Sequence, residues 1–75
     1  MSGADVVTIF ERFGFEVVSQ RGSHIKLRRV TADRGKQTLV VPNHREIDTG
    51  ACRAILRQAE RYIPLVELEP LFFAE

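Results

Sequence analysis

The chain has no tryptophan, one cysteine, one methionine, one tyrosine and three prolines. The single thiol, Cys52, excludes an intramolecular disulfide and any zinc site built from several thiolates. Small secreted domains are usually stapled, so the expected compartment is the cytoplasm. No apolar run approaches the ~20 residues that span a bilayer. Residues 1–13 lack the basic start and continuous apolar stretch of a signal peptide. There is no glycine-rich phosphate loop, dinucleotide fingerprint or nucleophile elbow, and no repeat or low-complexity segment. An excess of one charge is also missing. Eleven Lys and Arg stand against ten Asp and Glu, for a net charge of +1. That total excludes a strongly basic chromatin-type protein and an acidic tail, and leaves nucleic acid open.

What is present is enough for one domain of 75 residues, 44% hydrophobic and 28% charged. Residues 2–13 read as a helix. Ser2 and Asp5 stand in the capping-box relation, and Val6, Ile9, Phe10 and Phe13 form one apolar stripe. Gly14 follows where a left-handed cap is wanted. Strands are expected over 15–20, 24–30 and 37–41, separated by polar turns around Gly22 and over 31–35. In the second strand Ile25 and Leu27 point one way, and His24, Lys26 and Arg28 the other. Connections this short favour antiparallel pairing.

A loop over 43–48 leads to a second helix capped by Asp48 or Thr49. Its apolar face is Cys52, Ile55, Leu56 and Ala59, extended by Tyr62 and Ile63; Arg53, Arg57 and Arg61 line its outer face. The tail over 65–75 reads equally as a short helix or a strand. The expected fold is α+β, a two-layer αβββα sandwich with a three-stranded antiparallel sheet and two helices on one face.

Charge is unevenly spread along this order. Between Ser19 and Lys36 lie Arg21, Lys26, Arg28, Arg29, Arg34 and Lys36, against Asp33 alone; from Pro64 onward there are glutamates and no base. A basic stripe on an open sheet face suits a phosphate backbone. The plainer alternative is a set of solvated charges that blunt a hairpin edge.

His24 follows Arg21-Gly22-Ser23 and shares a face with Lys26 and Arg28. An imidazole beside cations and a glycine turn has what metal-free RNA cleavage requires. A base removes the 2′-hydroxyl proton, cations stabilise the phosphoryl oxygens, and an acid protonates the departing 5′-oxygen. Most lone histidines on strands are ordinary surface residues, and spacing alone does not make this one catalytic. His44, in Pro42-Asn43-His44, is either loop structure or a second proton donor. No carboxylate or cysteine spacing makes the two histidines a metal site. Cys52 reads as a small buried hydrophobe.

The segments Gly14-Phe15, Gly22-Ser23-His24, Val41-Pro42-Asn43-His44, Glu46-Ile47-Asp48-Thr49-Gly50 and Ile55-Leu56-Arg57-Gln58-Ala59 together resemble the HicA toxins, or YcfA-like mRNA interferases. The resemblance covers about residues 5 to 63, so residues 1–63 read as one HicA-like domain and 64–75 as an extension. It implies a double-stranded-RNA-binding-domain-like fold and a type II toxin that cleaves single-stranded mRNA without a cofactor or metal. It also implies a HicB antitoxin as partner. The family's catalytic histidine falls on His24, its Gly-Ser pair on Gly22 and Ser23, and its Pro-x-His histidine on His44. Arg21, Lys26, Arg28 and Arg29 are the expected RNA contacts. Glu60 and Arg61 stand where a glycine commonly ends the second helix, which predicts a longer helix here. The extension, with Leu65, Leu68, Leu71, Phe72 and Phe73, either covers the domain's own core or contacts the antitoxin. The runner-up function is a non-catalytic RNA-binding module of the same fold. A third reading is a plain interaction domain docking through the tail.

Overall fold

A computed structural model describes residues 1–73. The elements are α1 (Gly3–Glu11), β1 (Glu16–Arg21), β2 (His24–Thr31), β3 (Gly35–Pro42), α2 (Thr49–Ala59) and α3 (Leu65–Phe73). The strands form one antiparallel sheet in the order β1-β2-β3. The αβββα order is therefore present, with a third helix added after it.

Local chemistry explains the boundaries. Ser2 caps α1 by a reciprocal pair of bonds: its hydroxyl accepts from the Asp5 N–H at 3.1 Å, and its own N–H donates to the Asp5 carboxylate at 2.8 Å. Gly14 adopts φ +89° after the helix, and the Phe15 N–H returns to the Phe10 carbonyl. Asp48 caps α2 through the Ala51 N–H at 2.7 Å. The expected lengthening of α2 does not occur. It ends at Ala59, and the Tyr62 and Ile63 amides both turn back to the Ala59 carbonyl. Pro64 disfavours helical backbone at Ile63, so the helix does not resume there.

One face of the sheet is buried under the helices. Leu27, Leu39 and Val41 from the strands meet Val6 and Phe10 of α1, Ile55, Leu56 and Ala59 of α2, and Leu68 and Phe72 of α3. Phe10 links the layers, its ring centroid 6.0 Å from those of both Phe15 and Phe72. Leu68 and Phe72 thus belong to the core, Leu71 is partly buried, and Leu65 and Phe73 remain exposed. The tail takes the helical alternative even though Pro70 lies inside it. The amide that Pro70 lacks would have reached Val66, which is exposed to water.

Both sheet edges carry a device against further pairing. In β1 the register slips between Val17 and Ser19, leaving Val18 as an extra residue. In β3 the Gln58 carboxamide of α2 accepts from the Val40 N–H at 2.9 Å and donates to the Val40 carbonyl at 3.3 Å. The N-terminal segment is tied to the loop after β3. Gly3 N–H donates to the His44 carbonyl, and Ile47 N–H to the Met1 carbonyl, each at 2.8 Å. A Cβ at Gly3 would collide with the Pro42 carbonyl oxygen, so this approach requires glycine.

Candidate functional site

The second sheet face has no helix over it, and the strand register arranges it in rows across β1, β2 and β3. Arg21, His24 and Pro42 form the first row; Ser19, Lys26 and Val40 the second; Glu16, Arg28 and Thr38 the third. Val30 and Lys36 stand beyond them. His24 is the first residue of β2, immediately after the Gly22 and Ser23 turn, and its side of the strand alternates with the buried Ile25 and Leu27. A hollow of about 340 Å³ is lined by Ser19, Arg21, His24, Lys26 and Val40. A second hollow of about 290 Å³ lies farther along the strands, lined by Gly14, Glu16, Val18, Arg28, Arg29 and Val30, so a carboxylate borders it as well as guanidiniums.

The cations of this face are not engaged elsewhere. Among the described residues, Arg21, Lys26 and Arg28 form no ion pair, and the Arg28 Nε has no hydrogen-bond partner. That Nε is enclosed, so any contact of Arg28 with a ligand on this face would be made by the outer nitrogens of its guanidinium. The wall around His24 therefore presents positive charge to anything lying across the sheet.

The turn before His24 is held by its neighbours. Gly22 takes φ +55° with open space around it, the conformation that lets β1 reverse into β2. The Asn43 N–H donates to the Ser23 carbonyl at 2.6 Å. This bond brings the loop that carries His44 beside the turn that carries Ser23. His44 itself is exposed, with its carbonyl engaged by Gly3. Thus Gly22, Ser23, His24 and the His44 loop converge at one end of the sheet, with Arg21 and Lys26 alongside.

Arg29 does not join them. It alternates onto the helix-facing side of β2, where its guanidinium donates to Gln37 Oε1 at 2.9 Å, the Phe13 carbonyl at 2.8 Å and the Tyr62 carbonyl at 3.1 Å. It also stands 4.8 Å over the Phe15 ring. These contacts make it a clamp between α1, the sheet and the end of α2, and account for its separation from the expected RNA contacts. Ser19 and Val40 were not singled out from the sequence yet line the site. The bulge at Val18 brings Ser19 to this face against the alternation of β1, whereas Val40 follows from the alternation of β3 with the buried Leu39 and Val41.

No cluster of three potential metal ligands occurs among the described residues. Cys52 is buried, its Sγ 3.8 Å from the Ile47 carbonyl, and burial pushes its thiol pKa up. A protonated, enclosed thiol is a poor nucleophile. No helix of the described residues is long and apolar enough to cross a membrane.

A family model described as HicA toxin of bacterial toxin-antitoxin matches residues 3–60. The match takes in the Gly22, Ser23 and His24 turn, the His44 loop and α2, and ends before α3. No curated protein and no solved structure matches the chain significantly.

Proposed function

This chain belongs to the HicA toxin family of bacterial toxin–antitoxin systems, and from that premise we propose that it acts as a metal-independent endoribonuclease on mRNA, with His24 as its general acid/base. The observation that carries the reading is the convergence of His24 with Arg21 and Lys26 in one hollow of an uncovered sheet face.

His24 removes the proton of a ribose 2′-hydroxyl, the 2′-oxygen attacks the adjacent phosphorus, and the 5′-oxygen leaves with a proton. The products are a 2′,3′-cyclic phosphate and a 5′-hydroxyl. Arg21, in the same row as His24, offsets the negative charge that builds on the phosphoryl oxygens, with the Gly22 and Ser23 turn beside it and Lys26 one row along to hold phosphate. His44, on the adjoining loop, is the candidate for returning a proton to the leaving oxygen. The antitoxin partner is of the HicB type, and both act in the cytoplasm.

The test uses the purified full-length chain on single-stranded RNA in EDTA. Cleavage is expected, and His24→Ala lowers it by about 10²–10⁴ with an unchanged thermal midpoint. Unchanged cleavage by that variant removes His24 from the mechanism. Salt-sensitive RNA binding with no cleavage at all would instead establish a non-catalytic binding module.

A further inference from the structure

We infer that β2 holds its RNA by the phosphates on only one side of the cleaved bond, Lys26 taking the first and Arg28 the second. This rests on the reading of His24 as the residue at the scissile phosphate.

The argument begins with strand geometry. His24, Lys26 and Arg28 occupy alternate positions of one strand, so their side chains rise from the same face about 6.7 Å apart. That repeat is close to the spacing of phosphates along an extended single strand. The first hollow is walled by His24 and Lys26, and the second, farther along β2, by Arg28 together with Glu16 and Arg29. A single strand laid along β2 therefore meets an imidazole, an ammonium and a guanidinium in register. Neither cation has an ion-pair partner among the described residues. Glu16 is the one carboxylate in these rows; it stands across from Arg28 without pairing to it.

The other side of His24 is built differently. There β2 ends in the uncharged turn at Gly22 and Ser23, whose Ser23 carbonyl is already taken by Asn43. The next guanidinium, Arg45, lies off the sheet in the following loop. Among the described residues the open face carries no aromatic side chain. The aromatic residues sit in α1, just before β1, just after α2 or in α3. Without a stacking platform, grip comes from phosphates and tolerates any base at those positions.

The test uses a DNA oligonucleotide with a single ribonucleotide, so that only one bond can be cleaved, and the full chain. Uncharged methylphosphonate linkages replace the first or second phosphate on the 3′ side, or on the 5′ side, of that bond. On one of the two sides each replacement is expected to lower cleavage about tenfold, as loss of a charge-assisted contact does. On the other side the effect stays within about twofold. Lys26→Gln should erase the penalty of the nearer replacement alone, and Arg28→Gln that of the farther one alone. Equal penalties on both sides, none on either, or penalties that ignore both variants would overturn the inference. In each of these cases His24-dependent cleavage of the unmodified oligonucleotide persists. If that substrate is not cleaved in a His24-dependent way, the nuclease reading fails first, and the two failures are thereby distinguished.

Discussion

Arg28 and Arg29 are neighbours in the chain and occupy opposite worlds in the fold. Arg29 faces the helices, makes three hydrogen bonds and stands over Phe15. Arg28 faces outward, makes no ion pair among the described residues, and has an unpartnered Nε. The two residues share the same chemistry, and only strand alternation separates them. The comparison teaches that a basic run in sequence is two populations. One closes the domain, and the other faces outward without an ion pair among the described residues.

The sharpest way to break that comparison is to remove each guanidinium in turn. Arg29→Ala leaves the Phe13 and Tyr62 carbonyls and the Gln37 side chain without their donor. An unmade bond in a partly buried setting costs about 1–3 kcal/mol, so the total is on the order of 3 kcal/mol. For a domain of this size that lowers the thermal midpoint by about 10 °C or more. Arg28→Ala is expected to stay within about 0.5 kcal/mol of the parent. Thermal unfolding of the two variants side by side decides it, and equal losses would end the distinction.

A smaller effect sharpens the other half. If Arg28 meets a phosphate, Arg28→Gln removes one counterion-releasing contact. The slope of log affinity against log salt then becomes shallower by about 0.7 for single-stranded RNA. Titrations at several salt concentrations measure this directly, and a slope identical to the parent's would exclude the contact.

The smallest effect concerns the helical layer alone. Asp5 has its carboxyl held below the ordinary aspartate value, first by the Ser2 N–H and then by the Ser2 hydroxyl. A depressed folded-state pKa stabilises the fold above the unfolded value and is lost as the pH falls through the folded one. The stability gap between the parent and Asp5→Asn should therefore be full near neutrality and shrink below about pH 4. Denaturant melts across that window test it. A gap that widens on acidification would contradict the capping geometry.

Much of this architecture was legible before any coordinates. The Ser2 and Asp5 capping box, the left-handed Gly14 and the alternation of Ile25 and Leu27 against His24 and Lys26 are local codes, set by a few neighbouring residues. What escaped was non-local. The same alternation that separates His24 from Ile25 already assigns Arg29 to the inner side. Its positive charge argued against burial there, because nothing in the sequence announces that two distant carbonyls and Gln37 await it. α2 stops at Ala59 without the glycine whose absence pointed to a longer helix. The tail's choice of helix depended on Leu68 and Phe72 finding Phe10 and its neighbours, a contact spanning most of the chain. For the site, His24 and its cations were visible as spacing. The contribution of Ser19 required the bulge at Val18, while that of Val40 lay in the alternation of β3.

Gln58 has a consequence for how the molecule lives among copies of itself. Its carboxamide imitates one peptide unit of a fourth strand, filling the donor and acceptor of Val40 together. An intruding chain that tried to extend the sheet past β3 would first have to evict that stand-in. The bulged β1 offers a poor template on the opposite flank. A sheet left bare on one face is thus discouraged from growing sideways, and that works against edge-to-edge aggregation.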